Sequence, residues 1–173
     1  QIAVEIYGGP LLNSWLDREL GIAGRIVTRD GAQHLVRLDS VARLPQLAIH
    51  LDRGVNDGLT LDRQANTQPV FTLDAEPDLL AALAEQAGVK ASDVLGHDLF
   101  TYSSQPPARF GLHGEFFASG RLDNLSSTHA GLTAMEDLAD GNDLVIFAAF
   151  DHEEIGSATS SGAAGPFLGD VLE

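Results

Sequence analysis

The chain has 173 residues, 25 of them acidic and 10 basic, for a formal charge of −15. A field of that sign repels phosphate backbones and anionic lipid, which excludes nucleic acid and the membrane surface as partners. With no cysteine present, disulfides and thiolate zinc sites are excluded too, and any metal must be held by His, Asp or Glu.

Hydrophobic residues at 44% and charged residues at 20% fit one folded domain, or a small domain plus part of another. Ile2, Val4 and Ile6 alternate with Ala3, Glu5 and Tyr7, a strand pattern stopped by Gly8-Gly9-Pro10. The chain opens inside that pattern without an initiator Met or a signal sequence, as expected of an excised segment of a cytoplasmic protein. Leu20 to Thr28 and Gln33 to Asp39 read as two strands of a hairpin, with Asp30-Gly31 supplying positive φ angles at the turn. Leu47 to Leu51 is a short apolar run between Pro45 and an Asp52-Arg53-Gly54 turn, and residues 56–68 read as a polar loop. Pro77 to about Ala87 is predicted helical, with Leu79, Leu80, Leu83 and Ala87 on one face and Gly88 just past its end. Leu99 to Ser103 reads as another strand, and Gln105-Pro106-Pro107 marks a boundary.

After Gly111 the pattern becomes α/β. Glu115 to Ser119 reads as a short strand. Ser126 and Ser127 are placed to cap a helix running to about Ala139, with Leu125, Leu132, Met135 and Ala139 on one face and Gly141 ending it. Leu144 to Phe150 is apolar on both alternations, as in a strand covered on both faces. It is the longest apolar run and far too short to span a bilayer. Strand, helix, strand in that order predicts a parallel sheet, whose functional loops lie beyond the strands' carboxyl ends. A helix-like Phe167 to Leu172 closes the chain.

Two acidic clusters fall at those loop positions, Gly120-Arg121-Leu122-Asp123-Asn124 and Asp151-His152-Glu153-Glu154. With neighbouring strands, Asp123 and the Glu153-Glu154 pair would converge on one crevice. Crowded carboxylates repel each other and raise one another's pKa unless a cation intervenes. Two metals about 3.5–4 Å apart resolve that conflict through a shared bridging carboxylate, while a further free carboxylate shuttles protons. The plainer reading stays open, because acidic residues also gather at helix N-termini and on solvated loops. Of the six histidines, His34, His97, His113 and His129 show no ligand spacing. His152 adjoins the acidic pair as a solvent-facing or outer-shell residue, and His50 in its apolar run would by default be a core histidine.

Five segments occur in an order that resembles the aspartyl aminopeptidase family of zinc metallopeptidases. They are Val4-Glu5-Ile6-Tyr7-Gly8-Gly9, Ser14-Trp15-Leu16-Asp17-Arg18-Glu19-Leu20, Pro45 to Leu51, Arg121-Leu122-Asp123-Asn124-Leu125 and Asp151 to Ser157. The resemblance implies a β-rich dimerisation insert with one or two helices over residues 1–110, and part of a parallel-sheet α/β catalytic domain over residues 111–173. It implies that Asp123 bridges two Zn2+ ions, that Glu154 is a terminal metal ligand and that Glu153 is the general base. His50 would reach the active site of a neighbouring subunit. Homodimers would build a larger homo-oligomer, a tetrahedral dodecamer, and the substrates would be peptides with an N-terminal Asp or Glu. Other divalent metals remain open. The family's remaining histidine and aspartate ligands match nothing in the chain, so the segment alone is expected to be inactive. A reading of another class is a non-catalytic oligomerisation module with a vestigial acidic site.

Overall fold

The computed structural model describes residues 1–136, 138, 141 and 143–173. Its dominant element is a long antiparallel hairpin, β1 (Arg18–Thr28) and β2 (Gln33–Leu44). The turn differs from the sequence expectation in one respect. Gly31 alone takes a positive φ, 85°, and its N–H bonds Thr28 C=O at 2.8 Å. Asp30 contributes its carboxylate instead, accepting from Thr28 Oγ1 at 2.6 Å and from Ala32 N–H at 3.2 Å. That local bonding is what short acidic side chains do in turns.

The second strand runs past the expected Asp39 to Leu44 because an irregularity absorbs extra residues. The register moves from Leu20↔Ala42 to Ile22↔Leu38, and Ser40 between them sits at φ 51°. A bulge of this kind lets the strand change course while pairing resumes. β3 (Val94–Ser103) pairs antiparallel with the other edge of β1, giving the order β2-β1-β3.

Helix α1 (Leu79–Ala87) covers one face of this sheet. Asp78 caps it, accepting from Ala81 N–H at 2.8 Å, which leaves Pro77 just before the helix rather than in its first turn. Gly88 ends it in the left-handed region, as predicted. The expected face is the buried one: Leu83 is fully buried with Ile26 and Val36, and Leu79, Leu80 and Ala87 surround them. A second cluster joins Leu20, Ala42 and Leu44 to Ile2, Trp15 and Leu16.

The first residues keep the alternation read from the sequence, with Ile2, Val4 and Ile6 half-buried and their neighbours exposed. No ladder forms there among the described residues, although Ile2 N–H bonds Pro69 C=O at 3.1 Å. Residues 56–68 are turns and irregular structure, as expected of their polar composition.

The chain divides into two compact units. One comprises residues 1–6 and 10–105, and the other residues 7–9 and 106–173. In the second unit β4 (Ala108–Phe110) and β5 (Phe116–Ala118) form a small antiparallel pair, followed by α2 (Leu122–Glu136) and α3 (Phe167–Leu172). The α/β class therefore holds, with antiparallel pairing throughout the described strands. Two details differ from expectation. Ser126 does not cap α2: its hydroxyl donates back to Leu122 C=O at 2.7 Å, and regular helix resumes just before it, after the non-helical Asp123 and Asn124. The expected helix end near Ala139 lies outside the described residues.

The run from Leu144 to Phe150 forms no strand, and Leu144 is 88% exposed. A strand exists only through its neighbours' N–H and C=O groups, and no described segment pairs with this one. The parallel ladder predicted between residues 115–119 and 144–150 is accordingly absent among the described residues. No helix among them is long and apolar enough to cross a membrane.

Candidate active-site residues

The second unit holds the three carboxylates singled out from the sequence. Asp123 stands where β5 has ended and α2 begins. Its backbone is extended (φ −83°, ψ 113°), Asn124 is also non-helical, and the peptide bond between them is cis. Arg121 just before it is left-handed at φ 61°, and Leu125 N–H returns to Arg121 C=O at 3.1 Å. The chain thus turns sharply around Asp123, leaving its side chain exposed at the mouth of the helix.

Glu153 and Glu154 lie on a short 3-10 turn, Glu153–Ile155. Three residues around it are left-handed: His152 at φ 64°, Gly156 at φ 99° and Ser157 at φ 59°. For the two that are not glycine this conformation costs on the order of 1–3 kcal/mol each, a kind of strain concentrated at functional sites. The turn is held by its own backbone. His152 C=O accepts from Ile155 N–H at 3.3 Å and from Ser157 N–H at 3.0 Å, while Ser157 C=O accepts from Ala164 N–H at 3.1 Å. His152 N–H in turn donates to Asp151 Oδ1 at 2.7 Å.

Among the described residues, no hydrogen bond or ion pair engages the carboxylates of Asp123, Glu153 or Glu154. Carboxylate oxygens of this kind suit a divalent cation such as zinc, so Asp123 and Glu154 fit such an ion in kind. They fall short in number. No group of three or more His, Asp or Glu side chains is gathered as a metal cage among the described residues. The convergence expected of Asp123 with the Glu153-Glu154 pair depended on a ladder that does not form here.

A contact missed at the sequence level is the seating of residues 7–9 against this turn. Tyr7 Oη is 3.0 Å from His152 Nδ1, and the two rings lie 6.1 Å apart at 54°. A Cβ on Gly8 would fall 2.9 Å from Glu154 Cβ and 3.3 Å from its Oε2. Only a glycine lets the backbone come that close. Partial burial, with the charges of Asp151, Glu154 and Glu153, pushes the Tyr7 phenol above its usual range. The available signal was the Val4 to Gly9 segment, which entered the family resemblance and whose Gly8-Gly9 read as part of a strand stop, with no partner assigned to Tyr7.

His50 belongs to the first unit and is exposed on a turn. Ala48 C=O accepts from Leu51 N–H at 2.8 Å and Asp52 N–H at 3.2 Å, which closes the apolar run into a projecting loop. Leu47, Ile49 and Leu51 are 59%, 44% and 74% exposed. The default of a core histidine is thereby corrected: the run is apolar, yet it packs into neither core cluster.

The sequence pattern of the family described as Aminopeptidase I zinc metalloprotease (M18) matches residues 1–173. The chain is 52% identical over 182 aligned residues to a probable M18 family aminopeptidase 2 of Streptomyces coelicolor, and 43% identical over 183 to one of Stutzerimonas stutzeri. The first alignment covers 100% of the chain and the second 99%, each with 42% of the relative. The chain thus spans about two fifths of the length of the curated relatives it matches.

Among solved structures, a chain from the cryo-EM structure of the Ape4 and Nbr1 complex superposes with a TM-score of 0.86 at 30% identity, covering 99% of this chain and 39% of that one. The crystal structure of prApe1 gives 0.82 at 32%, covering 99% and 42%. The Saccharomyces cerevisiae mApe1 dodecamer gives 0.72 at 28%, covering 99% and 41%. A match along the whole chain to one family pattern, joined to this structural likeness, settles the assignment: the chain belongs to the M18 family of aminopeptidase I zinc metalloproteases.

Proposed function

We propose that the chain is part of a zinc-dependent aminopeptidase that removes an unblocked Asp or Glu from peptide N-termini. The observation that carries this reading is the Glu153-Glu154 pair, unengaged and raised on a turn bracketed by left-handed residues. A pure scaffold does not require this pair beside Asp123 in the same unit. In this reading Asp123 and Glu154 would hold the zinc ions, with further ligands supplied by parts of the protein outside these residues.

When bound, the metal pair supplies Lewis-acid polarisation of the scissile carbonyl. Glu153 does the proton work: its carboxylate takes a proton from the attacking water and delivers it to the departing amine. Both transfers need a carboxylate free of a neutralising partner, which is the state of Glu153 among the described residues. His50 donates from a neighbouring subunit to the oxygen of the tetrahedral intermediate, which suits its exposed position on a projecting turn. In this reading residues 1–110 are the dimerisation insert and residues 111–173 part of the catalytic domain. Homodimers assemble into a larger homo-oligomer in the cytoplasm, an arrangement supported by the likeness to the mApe1 dodecamer.

The charge of −15 repels acidic peptides at long range, so selection of Asp or Glu requires a local cationic group. The test is hydrolysis by the intact protein of peptides that differ only in their N-terminal residue, before and after chelation and zinc return. Preferred cleavage after Asp and Glu, lost on chelation and restored by zinc, is the expected result. Equal cleavage after Leu or Ala would remove the acidic specificity, and activity indifferent to chelation would remove the metal.

A further inference from the structure

We propose that Tyr7 and Gly8 form a brace that holds His152, and through it the Glu153-Glu154 turn, in working position. The proposal rests on the roles assigned above to Glu153 and Glu154.

Tyr7 and His152 are 145 positions apart in sequence, yet the phenol oxygen lies 3.0 Å from Nδ1. The phenol oxygen bonds this ring nitrogen as donor or as acceptor according to the tautomer, and either way ties the His152 ring to Tyr7. The other ring nitrogen, Nε2, faces Asp151 Oδ2 at 3.9 Å. One hydroxyl therefore fixes the ring's orientation.

The ring matters because of what its backbone does. His152 is the left-handed residue that opens the 3-10 turn, and its C=O receives two of the N–H groups that close it. A non-glycine residue persists in this conformation only where its surroundings hold it, and the bond to Tyr7 adds a side-chain tie to the turn's own backbone bonds. Gly8 sets the other side of the same clamp, since its backbone passes where any Cβ would strike Glu154. At φ 70° the residue is also in the region that favours glycine. The segment thus touches the loop at two points, one on each side of Glu153. Tyr7 touches no reacting atom in this scheme and is a positioning residue.

The test is Tyr7→Phe in the intact zinc enzyme, which keeps the ring and removes the one hydroxyl. Partners bonded directly to a metal ligand are typically worth roughly 10–100-fold, and Tyr7 acts one step further out, so kcat is expected to fall about tenfold with KM within about twofold of normal. The visible absorption of the cobalt-substituted protein should also shift, because Glu154 moves with the turn. An unchanged kcat, or an unchanged cobalt spectrum, would overturn the proposal. Gly8→Ala should give a larger loss of kcat; if it folds with wild-type kcat, the clamp on Glu154 is wrong. Glu153→Gln measured alongside separates the two layers. Normal turnover in that variant would sink the assigned role of the acidic pair, while the cobalt spectrum of Tyr7→Phe still reports whether the brace sets the loop.

Discussion

His50 shows how far a single residue's role can be read from its neighbours in sequence. Four apolar residues around an imidazole suggest burial, and the structure instead closes them into an exposed turn through two bonds to Ala48 C=O. The sequence contained Pro45 and the Asp52-Arg53-Gly54 turn on either side, which limit the run's length, but hydropathy outweighed them. An exposed imidazole contributes little to stability, so His50→Ala should leave the melting temperature nearly unchanged. If His50 stabilises an oxyanion, the same change should cost roughly 10²–10³ in kcat. Mixing His50→Ala subunits with Glu153→Gln subunits creates some sites with both groups intact, provided the histidine acts across an interface. Regain of activity in exchanged oligomers is the expected outcome; exchange without regain would place His50 in its own subunit's chemistry or in none.

At the scale of elements, legibility followed local signals. The hairpin, α1 with Gly88 beyond it, and α3 each rest on turn chemistry or periodicity within about a dozen residues, and all are present. The strand expected at residues 144–150 rests on partners that hydropathy cannot supply, and it is not formed. In the first unit, α1 is fastened mainly by Leu83, which is fully buried between Ile26 and Val36. Leu83→Ala should destabilise that unit by about 2–5 kcal/mol, measured by denaturant unfolding with tyrosine or tryptophan fluorescence.

On the sheet, Asp39 accepts from the Tyr102 hydroxyl and from Arg37 Nε at 3.0 Å, and the Arg37 guanidinium stacks 4.9 Å above the Tyr102 ring. The Tyr102 bond first, then Arg37, hold the Asp39 carboxyl below its usual value of 3.8. A lowered folded-state pKa means that the stabilisation is fully present above pH 3.8 and is lost as pH falls through the folded value. Asp39→Asn should therefore be less stable than wild type at pH 7, with the gap closing on acidification below pH 3.8. A gap that widened in acid would refute this linkage.

Over the whole chain the two units differ in how they bury apolar surface. Every fully buried hydrophobic side chain among the described residues belongs to the first unit. In the second, Leu112 and Leu144 are 88% exposed, and Val145, Ile146, Ile155 and Phe167 are each about half exposed. At roughly 25 cal/mol per Å2, uncovered side chains of this kind forgo much of the burial that stabilises a domain. Hydrogen exchange on this 173-residue chain should show protection in β1, β2 and β3 and little across residues 106–173. Comparable protection in both units would contradict that contrast.

The candidate site was legible in the same uneven way. The acidic pair and Asp123 stood out because carboxylates beside an apolar run are chemically conspicuous. Tyr7 was missed because its partner lies at the other end of the sequence. Asp123 and Glu154 also cannot give two metals the three protein ligands each that catalytic zinc usually has. Metal analysis of the isolated chain should accordingly find little tightly held zinc, and two firmly bound ions per chain would show a ligand set different from the one described.

The most direct test of the account is the turnover of Glu153→Gln in the intact protein with its metal content measured on the same sample. Glutamine keeps the shape and removes the base, so both metals should be retained while turnover falls by roughly 10²–10⁴. Near-normal turnover in the metal-replete variant would contradict the assignment of Glu153 as the proton carrier.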